Sequence, residues 1–195
     1  MLAGVATAWA ADLVPGRRTW RTAPSTASWY ERAGNGLTLA CGVLAAAPDI
    51  DILFLSHFNG HRTITHSIGA VFFVGLFAAA MAAKSRRPIA RVALMCAAAY
   101  GTHLLLDWLG ADNFPPRGLQ ALWPFTREWY ISDLDVFRQT ARRHIASGPI
   151  MRQNALAIVQ EIAVLLPIAV GLWLVRVKAL ARLASEMAGR DHAAQ

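Results

Sequence analysis

The sequence predicts an all-α integral membrane protein, a polytopic helical bundle of about four to five spans with an extramembrane segment at 110–154. Three observations carry this. Of 195 residues, 55% are hydrophobic and only 16% charged, against roughly 25% charged in an ordinary soluble domain. The apolar residues gather in long runs, and a hydrocarbon core about 30 Å thick needs about 20 helical residues to cross it. The basic residues fall between those runs, where they read as membrane topology signals. Mean hydropathy is +0.36. This composition excludes a disordered chain, a collagen-like repeat and a highly charged soluble domain. The length suits one membrane-embedded domain, 1–195.

Residues 1–13 are apolar but too short to span, and read as a truncated or half-spanning first helix. A secretory leader is the other reading, but the basic segment that opens one is missing. The first candidate span, 36–55, is marginal, because Pro48, Asp49 and Asp51 lie where its end should be. Residues 64–83 run without Lys, Arg, Asp or Glu and form the second. The third, 90–109, carries Arg91, His103 and Asp107. The fourth, 155–177, carries Gln160, Glu161, Pro167 and Arg176. Between the last two, residues 110–154 hold Pro115, Pro116, Pro124 and Pro149 with Trp123 and Trp129, and Trp108 lies just before them. That stretch reads as an extramembrane cap with short interfacial pieces. Cys41 and Cys96 lie inside apolar stretches and read as small hydrophobes.

Net charge is +7, yet no nucleic-acid partner is expected, since the basic residues border apolar runs. With those spans, twelve Lys and Arg fall on one side, at 17, 18, 21, 32, 84, 86, 87, 91, 176, 178, 182 and 190. Seven fall on the other, at 62, 117, 127, 138, 142, 143 and 152. The richer side, with its short 84–91 loop, is expected to be cytoplasmic.

Ionisable residues in membrane segments are costly, so they usually face the protein interior and have a role. Here they converge on the less basic side. Asp49 and Asp51 end the first run, and His61, Arg62, Thr65 and His66 precede the second. His103 and Asp107 lie near the end of the third, and Glu161 lies about 9 Å into the last. His103 and Asp107 are four apart, so both project from one helix face and could share a metal. Non-helical backbone after Pro48 lets both aspartates turn inward. Mixed His and carboxylate donors suit zinc, with manganese or iron as alternatives. Such an ion acidifies a bound water for hydrolysis, and Arg62 could hold a phosphate or carboxylate oxygen. Blander readings stand beside these. Asp49 and Asp51 can cap a helix, His66 can bond a backbone carbonyl, Asp107 can be solvated at the interface, and Glu161 can pair with an arginine. His57 has no clear placement, His144 reads as solvated, and His192 lies in the tail.

In order along the chain, Ala47-Pro48-Asp49-Ile50-Asp51, His61-Arg62-Thr63-Ile64-Thr65-His66-Ser67, His103-Leu104-Leu105-Leu106-Asp107 and Leu122-Trp123-Pro124-Phe125 resemble the YdjM-type inner-membrane proteins. The likeness covers about residues 36–137, and the stretch from Trp129 to Asp135 extends it. It implies a membrane-bound metal-dependent hydrolase with Asp49, Asp51, His61, His66, His103 and Asp107 as metal ligands. Arg62, His61 and Asp51 are the candidate catalytic groups. The His-x-x-x-Asp pair and the Thr-His-Ser segment also resemble zinc phospholipase C and related helical nucleases. That implies a lipid or lipid-linked phosphoester substrate. Two departures stand out: Thr63 replaces the glycine that often follows His-Arg, and no histidine precedes His57. Members commonly carry a Gly-His before the first helix, so this chain is expected to begin inside that helix. The alternatives are a membrane scaffold with a structural metal site, or an ion- or proton-coupled transporter.

Overall fold

The computed structural model describes residues 1–14, 32–52, 62–141 and 146–193. Among them are five α-helices and no strand: α1 Leu2–Ala11, α2 Gly36–Leu44, α3 Ile68–Lys84, α4 Ile89–Leu109 and α5 Gly148–Ala193. Two 3-10 turns, Ala47–Asp51 and Ile64–His66, lie between α2 and α3. His57, His61 and His144 fall outside the described residues.

Helix α4 is the axis of the bundle. On one side α3 packs antiparallel to it through small residues, so that a Cβ added at Gly75 would lie 3.3 Å from the Ala97 Cβ. On the other side, α1 and α2 close over it, and Ala8, Leu37, Cys41, Ala78, Met95, Cys96 and Ala99 form the core where the four helices meet. Gly4 of α1 lies so close to the Cys41 carbonyl of α2 that no side chain fits between them. Close backbone approach of this kind is how helices associate where lipid gives no hydrophobic drive. Helix α5 packs against α1 and leaves most of its length outside the core.

Two helices, α4 and the 148–182 part of α5, are long and apolar enough to cross a membrane. Helix α3 is apolar over 17 residues. It turns Phe72, Phe73 and Phe77 outward at 62–69% exposure, a patch that suits lipid far better than water. The expected 36–55 span is not one helix. Asn35 caps α2 through Leu37 N and Thr38 N, but the helix stops after nine residues. Pro48 lacks an N–H and disfavours helical backbone before it, and the chain tightens into the 3-10 turn. The fourth run is longer than expected. It begins at Gly148, with Pro149 in its first turn where a missing N–H costs nothing.

Two of the basic residues counted toward the cytoplasmic side are internal. Arg91 Nη2 donates to Asp12 Oδ1 at 2.5 Å, and Arg176 Nε donates to Asp12 Oδ2 at 2.7 Å. All three residues are buried. The remaining basic residues of the 84–91 loop are exposed, at the end of α4 opposite His103 and Asp107.

Candidate metal centre

Three short segments and the last two turns of α4 build the site. His66 ends the 3-10 turn that leads into α3. Ser67 fixes that junction, donating to Ile64 O at 2.6 Å and accepting from Ala70 N at 3.2 Å. The next two N–H groups of α3, at Ile68 and Gly69, donate to the carbonyls of Ala121 and Trp123. The 121–123 segment, which enters the Leu122–Phe125 motif, therefore caps a helix N-terminus, satisfying donors that have no partner within the helix. Leu119, 1% exposed, seats the segment.

His66 is fully buried, and its Nε2 lies 3.7 Å from Asp49 Oδ1 and 3.5 Å from Asp107 Oδ2. His103 Nε2 lies 3.5 Å from the same Asp49 oxygen and 3.8 Å from the same Asp107 oxygen. The two rings meet edge to face with centroids 5.1 Å apart. Donor atoms of Asp49, His66 and His103 all lie within 4.8 Å of one another, so this triad could hold a metal ion. A tetrahedral ion with bonds of about 2.0–2.2 Å separates its ligand atoms by about 3.3–3.6 Å, close to the spacing found here. His103 Nε2 and Asp107 Oδ2 are buried and have no hydrogen-bond partner among the described residues. Buried polar atoms are seldom left so, unless an ion or water completes them.

Both imidazoles are held from behind. His103 Nδ1 is 3.0 Å from Ala45 O, a carbonyl that the end of α2 exposes. His66 Nδ1 lies 3.0 Å from Thr65 Oγ1 and 3.4 Å from Asp51 Oδ2, and Thr65 Oγ1 donates to that same oxygen at 2.5 Å. Tyr100 OH donates to Thr65 O at 2.6 Å. Thus Asp51, expected among the ligands, lies on the Nδ1 side of His66, away from the converging donors. Its place is the one that fixes tautomer and ring orientation in metal-binding histidines. Tyr100 and Ala45 were not singled out from the sequence, since contacts across 35 or 58 residues leave no periodic signal.

Arg62, at φ 63°, lies between two carboxylates. Its Nη1 donates to Asp112 Oδ2 at 2.5 Å, and its Nε lies 3.4 Å from Asp107 Oδ2. Nη1 carries the side chain's hydrogen bond among the described residues, while Nε meets Asp107 only as an ion pair. Asp112, unforeseen in the sequence, gathers four donors: Arg62 Nη1 and Gly118 N on Oδ2, Phe114 N and Gln139 Nε2 on Oδ1. Glu161 is exposed and outside the cluster.

Burial opposes charge on His66, but hydrogen bonds to Asp49 and Asp51 and the fields of Asp107 and Asp51 outweigh it, pushing its pKa up to about 9. Burial likewise opposes charge on Asp49, yet the attraction of the nearby His103 and His66 rings holds it well below the usual carboxylate range. Asp49 and His66 thus favour their charged forms, and a dication can enter by displacing the imidazolium proton. Asp49, 46% exposed at its side chain, is where the cluster meets the outside.

A helical bundle with lipid-facing apolar helices and a His/Asp cluster at one end defines a membrane protein with a candidate metal centre. The chain matches the YdjM inner membrane protein family over residues 1–182 and belongs to that family. No curated protein and no solved structure matches it.

Proposed function

We propose that this protein is a membrane-bound metal-dependent hydrolase of the bacterial inner membrane, cleaving a phosphoester of a lipid or lipid-linked substrate. The observation that carries the reading is the convergence of His66 Nε2, His103 Nε2, Asp49 Oδ1 and Asp107 Oδ2, with the Nδ1 side of each ring already engaged. Asp49, His66, His103 and Asp107 would hold a divalent ion, zinc being favoured by two imidazoles with carboxylates. When bound, such an ion supplies Lewis acidity and an acidified water.

The protein's own groups do the rest. Asp51 and Thr65 keep the His66 lone pair pointed at the centre. Arg62 neutralises Asp107 through Nε and offers Nη2 to a non-bridging phosphate oxygen, where developing charge is stabilised. Asp112 keeps that guanidinium in place. His61, adjacent to Arg62, is assigned as a further ligand or acid–base group. The extracytoplasmic side is favoured because Lys84, Arg86 and Arg87 lie at the other end of α3 and α4. A site at headgroup depth meets phosphoesters first.

The test is metal analysis and turnover on the detergent-purified protein. Wild type is expected to carry stoichiometric zinc and to hydrolyse a phosphodiester, and His103→Ala and Asp49→Ala to lose both. Wild type without bound metal after zinc loading overturns the centre. Bound metal without turnover of any phosphoester leaves a structural site in a membrane scaffold.

A further inference from the structure

Beside the cluster, α3 and α4 enclose an open groove of about 350 Å³. We infer that this groove is a binding site for one acyl chain of a glycerophospholipid whose headgroup lies at the His/Asp centre. The inference rests on the proposed function only for that headgroup placement.

Three observations support it. The first is position. The groove begins at Ile68, two residues beyond His66, and its next lining residue, Val71, lies beside Gly101, two residues before His103. The second is length. From Ile68 to Ala79 the helix rises about 16 Å, close to half of a hydrocarbon core about 30 Å thick, which is one leaflet. The third is shape and chemistry. Gly75, Ala93 and Ala97 are small and half-buried, while Phe72, Leu76 and Leu94 stand exposed along the edges. The result is a trough with wholly apolar walls that opens sideways to lipid. A chain there gains nothing from leaving water, since its alternative surroundings are also lipid. What holds it is contact along the trough and the tether of its headgroup.

The probe is a phosphatidylcholine with a mid-chain diazirine, doped into phosphatidylethanolamine and phosphatidylglycerol vesicles holding the full-length protein. After irradiation, labelled peptides are mapped. Label is expected to concentrate on residues 72–79 and 93–97, several-fold above the exposed α5 residues Ile158 and Val159. Ala97→Leu, which fills the trough, is expected to bring it down to the α5 level. Should that variant fail to fold, the wild-type pattern alone decides. Even labelling of both faces, or crosslinks between two copies through the trough, overturns the inference. Labelling needs no turnover, so the groove can fail while hydrolysis stands, and a labelled groove in a protein without hydrolysis retires the enzyme alone.

Discussion

Asp112→Asn isolates the link between the segment that follows α4 and the candidate centre. The aspartate is buried, and each of its oxygens faces two donors. Asparagine keeps the shape but turns one acceptor into an NH2 group, which confronts two N–H donors whichever way the amide is placed. Arg62 also loses its shortest counter-charge, a contact of 2.5 Å between side chains 16% and 7% exposed. A hydrogen bond to a charged group contributes about 1.5–3 kcal/mol and an orphaned buried donor costs about 1–3, so a net loss of about 2–3 kcal/mol is expected. At about 2–4 °C per kcal/mol for a chain of this size, that lowers the unfolding midpoint by about 4–12 °C. The assay is tryptophan fluorescence during heating in detergent, with Asp133→Asn as the control. The Arg117–Asp133 contact is nearly as short, at 2.6 Å, but its side chains are 48% and 64% exposed. Exposed pairs contribute about 0–1 kcal/mol. Equal shifts for the two variants would refute the claim that burial and multiplicity make Asp112 the anchor.

Three further outcomes follow from the same geometry. Thr65→Val removes the hydroxyl that joins Asp51 to His66, and zinc affinity should fall about 10–100-fold while the fold persists, as read by competition with a chelating dye. An unchanged affinity would remove Thr65 and Asp51 from ring orientation. Zinc must displace the proton that His66 holds up to about 9, so apparent affinity should rise by up to about tenfold per pH unit per proton between pH 6.5 and 8.5. In chelated protein the sign reverses for stability: the raised His66 pKa contributes fully below about 6.5 and is lost as pH climbs through about 9. A flat affinity profile would count against His66 as a ligand. Finally, Asp12→Ala removes the carboxylate shared by two buried guanidinium groups, and about 3–5 kcal/mol of stability should go with it. A midpoint within 2 °C of wild type, against the roughly 6 °C or more expected, would show that the arginines are satisfied elsewhere.

The parts of this architecture that periodicity and hydropathy control were legible in the sequence. Helix α4 departs by one residue from its expected start, because Pro88 and Gly110 punctuate an apolar run. Helix α3 starts four residues late, since Ser67 caps it and 64–66 coil into a tighter turn. The start of α5 was hidden because Gln153, Asn154 and Gln160 dilute its hydropathy. Those residues bind the backbone of the segment between α4 and α5 at Gln139, Ala141 and Val136. Asp12 went unnoticed as a lone acid beside an apolar stretch, and without it Arg91 and Arg176 read as charges on the basic side. At the site, residue type revealed the donors. It did not reveal which of two adjacent carboxylates faces which side of a ring, because that depends on backbone turn geometry.

That geometry explains why α2 has to end where it does. In an α-helix residues two apart point about 160° away from each other, so Asp49 and Asp51 could not address one side chain. In a 3-10 turn, at three residues per turn, the same pair points about 120° apart. The Ala47–Asp51 turn uses this difference: Asp49 reaches the Nε2 side of His66 and Asp51 its Nδ1 side, one ring approached from two edges. The same termination leaves the Ala45 carbonyl without a helical partner and available to His103 Nδ1. Pro48 therefore shortens a segment that would otherwise be long enough to span. In doing so it orients both imidazoles, and the break in the helix becomes the feature on which the centre is built.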